Sequence, residues 1–531
     1  MLHTVLVGSE YLDKGFLKKL KKCDPRELIC WVSSCQAPAP NQERVAMIEY
    51  ALAVLLSLNY RKSQEKRKAS RELVKRIVAN AIKDFDEVRS GRLDTRNLKL
   101  PGAFGLGFLT IRGEAFLWQF AEASLERYGK HSEWMLSNLG FTILDAIHFS
   151  KEITKTLTKR LIERIAPPLP SFSKEQYYDP RYVFVPSQEF KDYWKTEITI
   201  SEKELVSLIA RDEHERFRAY LQRMSISINE PQPEIETPTD FNILYGKPFV
   251  KIDSDYLLPL PSIIWRTLST TFHYDFLHDK TYVEKYIDEK GKAAERRVYK
   301  CFKKLFPEEE LFPRVKYSKR LGWPDIDLLV NTDNLAFLIE CTSKWVTIRA
   351  KSGNLDAIVK DLESSIVKCY NQLGRALKAC QRQEIAIVKD KRLLPVIVVD
   401  DHIPHLDFIL QFFDFLKRNR PYIINIYDLE IITDISERNE FIEFVSKRAE
   451  LSERKRIFAA DEVDYFVHYK KYGLRNFADF LEKRDSKMIY IAHMEELYPN
   501  YYKEHVMKFF NDESFAQRLL VSNINWGIGW S

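Results

Sequence analysis

The sequence predicts an α/β protein (α+β overall), in which a mixed sheet flanked by helices lies between helical N- and C-terminal regions. Two observations carry this prediction. Apolar side chains recur at helical spacing through the first 165 residues, and residues 281–435 alternate between helix-like and strand-like segments. The chain has 531 residues, of which 45% are hydrophobic and 13% aromatic. This composition is typical of a folded protein with several domains and argues against disorder.

The N-terminal region, residues 1–166, is predicted to be a helical domain. Apolar stripes run through residues 43–60 and 72–85 at the spacing of an amphipathic helix. A proline cluster at 167–170 ends this block. Residues 167–280 are predicted to be a linker and a mixed segment that packs on the next domain. Within that segment, a capping box at 201–204 opens a helix and residues 247–260 are extended.

Residues 323–344 are the most informative segment, because they form two predicted strands joined by a turn at 331–334. Side chains alternate across a strand, so Asp325 and Asp327 share one face of the first strand. Glu340, Thr342 and Lys344 share one face of the second. Burying a carboxylate in an aliphatic strand is costly unless it is paired or bound to a cation. We therefore expect two carboxylates to converge, and such oxygen ligands suit Mg²⁺ or Mn²⁺.

A helix is predicted on each side of this strand pair. Residues 293–305 form an amphipathic helix with Glu295 on its apolar, core-facing side. Residues 361–379 form a second helix, on which Lys368 and Gln372 stand one turn apart along a face of small residues. Two alternative interpretations remain open: Glu295 as a charge favoured by the helix dipole, and Gln372 as an ordinary surface amide.

This order of elements resembles the PD-(D/E)xK nuclease superfamily, the restriction-endonuclease-like fold, over residues 281–435. Residues 322–327 correspond to the first acidic motif, and Glu340, Cys341 and Thr342 to the second. The resemblance implies a restriction-endonuclease-like mixed sheet flanked by helices and Mg²⁺- or Mn²⁺-dependent hydrolysis of phosphodiester bonds. The candidate metal ligands that follow from it are Asp327, Glu340, the Cys341 carbonyl and Asp325. The candidate catalytic residues are Asp327, Glu340, Lys344, Glu295, Thr342, Gln372 and Lys368.

One position departs from the pattern that the resemblance implies. Thr342 stands where a lysine usually follows the glutamate by two residues. Such a lysine orients or deprotonates the attacking water and stabilises charge on the phosphate. Lys344, on the same strand face, and Lys368, on the next helix, are the candidates to supply this cation, while Thr342 would line the site. Without such a cation, the site is expected to bind nucleic acid but not to cut it.

The resemblance leads us to expect a metal-dependent nuclease, most specifically a DNA endonuclease that is similar to effectors of bacterial defence against foreign DNA. Nucleic acid is the expected partner, with DNA preferred to RNA. The helical flanks are expected to contact the target or a protein partner, and the chain is compatible with an oligomer. An alternative function is a catalytically inactive, nuclease-like scaffold in a larger nucleic-acid-associated complex.

Composition limits the compartment and the partners. The net charge of +6 permits nucleic-acid binding without arguing for it, because a local patch matters more. Seven cysteines without repeated spacing favour free thiols and a reducing compartment. We find neither a signal peptide nor a membrane-spanning segment, so a cytoplasmic protein without a membrane partner is expected. A basic patch is predicted beside the acidic strands, from Lys300, Lys303, Lys304, Arg314, Lys316, Lys319 and Arg320.

The elements after the second helix complete the predicted organisation. Residues 394–400 and 422–432 are predicted to be further strands of the same sheet, separated by a helix that carries Phe408, Phe412 and Phe415. Residues 436–531 are predicted to be a helical C-terminal region rich in Phe and Tyr. The predicted units are therefore 1–166, 167–280, 281–435 and 436–531.

Overall fold

A computed structural model of the chain gives a mixed α/β protein with two mixed sheets and many helices, which confirms the predicted class. The residues that the structure describes are 14–36, 42–58, 67–89, 115–163, 185–230, 232, 235, 241–261, 263–317, 325–351, 355–401, 421–454, 462–473, 497–498 and 500–512. The predicted helix around Phe412 and the motif residues 322–324 lie outside these ranges. None of the described helices is both long and apolar enough to cross a membrane.

The N-terminal region is helical over most of its described length, as predicted. Its helices are α1 (Lys14–Lys21), α2 (Pro25–Ser34), α3 (Gln42–Ser57), α4 (Arg71–Arg89), α5 (Leu117–Tyr128), α6 (Ser132–Leu139) and α7 (Ile143–Glu163). Helix α2 begins where the Asp24 side chain accepts a hydrogen bond from the Arg26 backbone N–H at 2.9 Å. Helices α3 and α4 lie in the two segments that apolar spacing predicts, of which residues 59–60 lie outside the described residues.

A small sheet follows, with strand order β1-β4-β3-β2. Its strands are β1 (Thr199–Ser201), β2 (Ser225–Ser227), β3 (Phe249–Ile252) and β4 (Asp255–Leu257). The helices around it are α8 (Gln188–Ile198), α9 (Glu202–Ser207), α10 (His214–Arg223), α11 (Ile263–Thr270) and α12 (Phe272–His278). Helix α9 starts at the predicted capping box, where Ser201 Oγ accepts a hydrogen bond from the Glu204 N–H at 3.2 Å.

The second sheet carries the predicted site. Its strands run in the order β5 (Leu311–Lys316), β6 (Asp325–Asn331), β7 (Leu335–Thr342), β8 (Arg392–Val399) and β9 (Tyr422–Asn425). Strands β5, β6 and β7 are antiparallel, whereas β7, β8 and β9 are parallel. The Thr332 hydroxyl donates to the Leu335 carbonyl at 2.8 Å and closes the predicted turn. The sequence does not predict β5, because Pro313 interrupts it; β5 is an edge strand, where proline is tolerated.

Helices cover both faces of this sheet. The helices of this half are α13 (Val283–Lys303), α14 (Ile348–Lys351), α15 (Leu355–Leu362), α16 (Lys368–Gln381), α17 (Ile426–Ile435), α18 (Arg438–Arg454), α19 (Glu462–Tyr472) and α20 (Tyr501–Phe510). Helix α13 contacts β5, β6 and β7, while α16 packs on β6, β7 and β8. A π-helical turn at Glu363–Val367 joins α15 to α16. Such turns are frequent at functional sites.

One predicted strand is wrong over most of its length. The sequence predicts a strand over residues 422–432, but β9 ends at Asn425 and α17 begins at the next residue. The Asn425 side chain accepts a hydrogen bond from the Asp428 N–H at 2.9 Å and so caps the helix. The β-branched residues that suggested a strand, such as Ile431 and Ile432, are buried on α17 instead.

The hydrophobic cores cross the predicted unit boundaries. One core joins residues 115–157 and the C-terminal helices to the α13 face of the second sheet. Another core packs the first four helices, α1, α2, α3 and α4, against the small sheet. A third lies between the second sheet and α16. The division at 166, 280 and 435 therefore remains a prediction from sequence, and helices from both ends of the chain stabilise the central sheet.

A buried network of charges ties these helices to the end of β8. Arg127 of α5 donates to one carboxylate oxygen of Asp400 at 2.9 Å, and Arg297 of α13 donates to the other at 3.0 Å. Arg297 also donates to Glu430 of α17 at 2.8 Å. The buried Asp400 and the half-buried Glu430 thus each have a guanidinium partner. This matters because a buried charge without a partner is strongly destabilising.

Candidate active site

Asp327 and Glu340 come together on the neighbouring strands β6 and β7. The hairpin register pairs Leu328 with Ile339, so the next positions along the ladder place Asp327 beside Glu340. The Asp327 carboxylate accepts a hydrogen bond from the Cys341 backbone N–H at 2.7 Å. Glu340 lies on the sheet face that α16 covers, because side chains alternate along β7 and Leu338 belongs to the core beneath that helix. The structure therefore brings together the two carboxylates that the sequence singles out.

Glu340 is buried without enough compensation for a charge. Its side chain is about as inaccessible as the core aliphatics, at 1% exposure, and its Oε1 atom has no hydrogen-bond partner among the described residues. Burial raises the pKa of Glu340 to about 9; Asp327 and Asp325 raise it further, while Arg375 opposes them. Burial also raises the pKa of Asp327 to about 6, against the Cys341 N–H. The pair is thus a buried site in which nearby positive charge does not offset the cost of burying both carboxylates.

Glu295 lies at the margin of this pair. Its side chain is 26% exposed, so it stands at the edge of the buried face of α13 and not on the core-facing side as predicted. The Arg314 guanidinium donates to Glu295 Oε2 from Nε at 2.9 Å and from Nη2 at 2.7 Å. That hydrogen bond, and then the charges of Asp325 and Asp327, raise the pKa of Arg314. Glu295 therefore holds the Arg314 guanidinium close to Asp325 and Asp327.

Arg314 also has an unusual backbone. Its φ of 53° is in the left-handed region, which is unfavourable for a residue with a long side chain. Such strain persists only where the surroundings enforce it, and it clusters at functional sites. Here the register fixes the residue, because Pro313 pairs with Leu328 and Val315 pairs with Ile326. The strained position faces Asp327 across the β5–β6 ladder.

A second arginine approaches the pair from α16. Arg375 lowers the pKa of Glu340, so its guanidinium lies within electrostatic range of that carboxylate. Tyr317 is buried beside both groups: burial, and then Glu340, raise the Tyr317 pKa, while Arg375 lowers it. The Tyr317 hydroxyl donates to the Gln372 backbone carbonyl at 3.5 Å, a long hydrogen bond. The contact between Gln372 and the site is therefore made by its main chain.

Neither predicted replacement lysine forms an ion pair with Asp327 or Glu340 among the described residues. The Lys344 ammonium contacts the Ser364 hydroxyl and lies 3.5 Å from the Asp361 carboxylate. Lys368 is solvent-exposed, whereas apolar spacing predicts it on the small-residue face with Cys369. Lys368 is the first residue of α16, and at about 100° per residue it lies away from Cys369, Leu373 and Ala376, which form the buried face of that helix. Thr342 is buried at the end of β7, where its Oγ1 accepts a hydrogen bond from the Lys344 N–H at 3.3 Å.

The residues present fit a divalent cation held by two carboxylates. In the described ranges, no group of three or more His, Cys, Asp or Glu side chains could hold a metal ion by itself. Mg²⁺, however, commonly takes one or two protein carboxylates and keeps several water molecules. The unpartnered Oε1 of Glu340 and the raised pKa values of Asp327 and Glu340 are what such a cation would relieve. The ligand roles of Asp325 and the Cys341 carbonyl stay predictions.

Sequence reasoning missed the roles of Arg314, Arg375 and Tyr317. Arg314 belongs to the predicted basic patch, but the sequence does not predict strand β5 because it contains Pro313. The pairing of β5 with β6 places Arg314 opposite Asp327. Arg375 follows Gln372 by three residues, so helical spacing could have identified it. Tyr317 gives no local signal, because its contact with the site depends on pairing between β5 and β6.

Comparison with known proteins assigns no family to this fold and site. The chain matches no family model, no curated protein and no solved structure. Functional inference therefore depends on the carboxylate pair and on the two arginines beside it.

The pKa of Glu340 predicts an unusual pH dependence of stability. Folding raises this pKa from 4.5 to about 9, so above pH 4.5 the folded protein keeps a proton that the unfolded chain releases. Without metal, wild type therefore loses stability as the pH rises towards 9. Glu340→Gln removes this loss, so its free energy of unfolding relative to wild type should rise with pH, by up to roughly 1.4 kcal/mol per unit. Urea denaturation in EDTA at about pH 5 and about pH 8 measures this difference.

The matched control is Glu309→Gln, because Glu309 is exposed. Its stability relative to wild type should change little between the two pH values. An equal pH dependence in both variants would mean that Glu340 is charged and compensated in the folded protein.

Proposed function

We propose that the protein is a metal-dependent nuclease that hydrolyses phosphodiester bonds at the Asp327–Glu340 pair, most specifically a DNA endonuclease. The observation that carries this proposal is the buried Glu340, whose unpartnered oxygen lies beside a second carboxylate. Carboxylates with strongly raised pKa values are typical of functional sites. A structural role would call for a countercharge, as Asp400 has elsewhere in this protein.

The order of the elements supports assignment to the restriction-endonuclease-like fold. Helix α13 carries Glu295, strand β6 carries Asp327, strand β7 carries Glu340, and α16 with Gln372 and Arg375 covers the sheet face of Glu340. The sheet is mixed and has helices on both faces, as the resemblance to PD-(D/E)xK nucleases implies. Activity in bacterial defence and a cytoplasmic location are further parts of the proposal, made by analogy of architecture alone.

The mechanism assigns a task to each group. Asp327 and Glu340 would hold a Mg²⁺ or Mn²⁺ ion, which supplies an activated water and offsets charge on the scissile phosphate. Arg314 and Arg375 would provide the positive charge that Thr342 cannot, since a guanidinium binds phosphate oxygens through paired N–H groups. An arginine stays protonated, so neither can accept the proton of the attacking water. Glu295 would orient Arg314 through their hydrogen bonds.

The scaffold alternative rests on a different observation. Thr342 replaces the usual lysine, and Lys344 is held by Asp361, so no lysine is placed at the carboxylates in the described structure. A nuclease-like protein of this kind would bind a partner through its helical flanks. It would not depend on Asp327, Glu340 or a metal ion.

Cleavage assays separate the two functions. Plasmid, linear duplex, single-stranded DNA and RNA are incubated with Mn²⁺ or Mg²⁺ and with wild type, Asp327→Asn, Glu340→Gln or the surface control Glu309→Gln. We expect cutting by wild type and the control, and a loss of at least roughly 100-fold in both site variants, because each removes stabilisation of the transition state. Absence of cutting on every substrate would favour the scaffold.

The two arginines are tested separately. Arg314→Gly removes the guanidinium but suits the left-handed backbone, so the fold should be retained. Arg375→Gln removes the guanidinium charge that α16 places near Glu340. Each variant should cut roughly 100-fold more slowly than wild type at saturating substrate. Lys316→Gln, on the same strand as Arg314, is the matched control; rates equal to this control would exclude a catalytic role for either arginine.

A further inference from the structure

The α13 part of the predicted basic patch, Lys300 and Lys303 with the following Lys304, is largely neutralised by its neighbours, while Lys319 and Arg320 of that patch lie outside the described residues. Three of its lysines form ion pairs with carboxylates of other elements, and Lys304 lies 2.5 Å from Asp434. The other two pairs are Lys300 with Glu126 and Lys303 with Glu308. These cations already have partners, so this surface offers little free positive charge to a polyanion.

Helix α16 presents the opposite case. Its exposed face carries Lys368, Asn371, Arg375 and Lys378 on successive turns, while its buried face packs on the sheet. The helix contains no acidic residue. Among the described residues, none of these three cations takes part in an ion pair. No carboxylate is paired with Lys368 or Lys378 among the described residues, while Arg375 acts electrostatically on Glu340.

The spacing of these cations suits a phosphate backbone. Lys368 and Lys378 are about 15 Å apart along the helix, at 1.5 Å per residue. A nucleic-acid strand presents one phosphate about every 3.4 Å of duplex axis, so this length spans about four phosphates. Arg375 lies between the two lysines and within electrostatic range of Glu340. The row of cations therefore passes the carboxylate pair.

A glycine in the same helix allows close approach to this face. Gly374 lies in the interior of α16, although glycine favours helix less than alanine does. A Cβ atom at this position would meet no other atom within 4 Å, so core packing does not require the glycine. A bare backbone is what a ligand needs in order to approach a helix closely.

We propose that the exposed face of α16, formed by Lys368, Asn371, Gly374, Arg375 and Lys378, binds the sugar-phosphate backbone of a nucleic acid and leads the strand to Glu340. This inference rests on the proposed function in one respect: it takes the bound nucleic acid to be the substrate that is cut at Glu340. Binding itself requires neither a metal ion nor cleavage.

The test measures binding of full-length protein to labelled duplex DNA, single-stranded DNA and RNA by fluorescence anisotropy in EDTA, over a series of salt concentrations. The variant is Lys368→Gln with Lys378→Gln, which leaves Arg375 in place. On the preferred nucleic acid, it should bind at least roughly tenfold more weakly near 0.1 M salt. The salt slope should fall by about 0.9 for each duplex phosphate that the variant no longer neutralises.

The control is Lys300→Gln with Lys303→Gln, which changes the net charge equally but removes lysines that are already paired. It should keep the wild-type affinity and salt slope. Equal weakening in both double variants, or no weakening in either, would overturn the proposal. Because EDTA prevents metal-dependent cutting, binding through α16 can be established even if the cleavage assays show no activity.

Discussion

Hydrophobic packing around Glu340, with no countercharge bonded to its Oε1, fixes this carboxylate in the interior. Strand β7 pairs with β6 on one side and β8 on the other, and the aliphatic side chains before Glu340 belong to the cores on both faces. Because side chains alternate along the strand, a register shift that moved Glu340 off this face would transfer each of these side chains to the opposite face of the sheet. The packing energy of the sheet therefore offsets the cost of an uncompensated carboxylate, and Asp327 is held beside it.

Acidic side chains on the two faces of the sheet differ in whether an arginine pairs with them directly. On the α13 face, Asp400 and Glu430 each bind a guanidinium directly, and Arg297 links them to one another. On the α16 face, Glu340 has an oxygen without a partner, and the nearest arginines act on the pair mainly through electrostatics. The balanced network stabilises the assembly of helices, whereas the unbalanced pair has the properties of a binding site for a cation.

Local sequence signals predict the part of the site that lies in the hairpin. Turn residues at 331–334 and side-chain alternation place Asp327 and Glu340 correctly, because both depend on near neighbours in the chain. The cations could not be placed in this way. Arg314 reaches the site on a strand that Pro313 makes hard to recognise in the sequence, and Lys368 lies on the exposed side of α16, one residue before the buried Cys369. The prediction of a strand over 422–432 is wrong because the β-branched residues there do not reveal that Asn425 caps a helix, which begins at the next residue.

The claim that Asp327 and Glu340 form a cation site is tested most directly by calorimetric titration of Mn²⁺ into wild type and Glu340→Gln, in two buffers of different ionisation enthalpy near neutral pH. A carboxyl group with a raised pKa must lose its proton when the ion binds. We predict saturable binding with proton release in wild type, and loss of both in the variant. Unchanged Mn²⁺ binding in Glu340→Gln, or binding without proton release, would contradict the account.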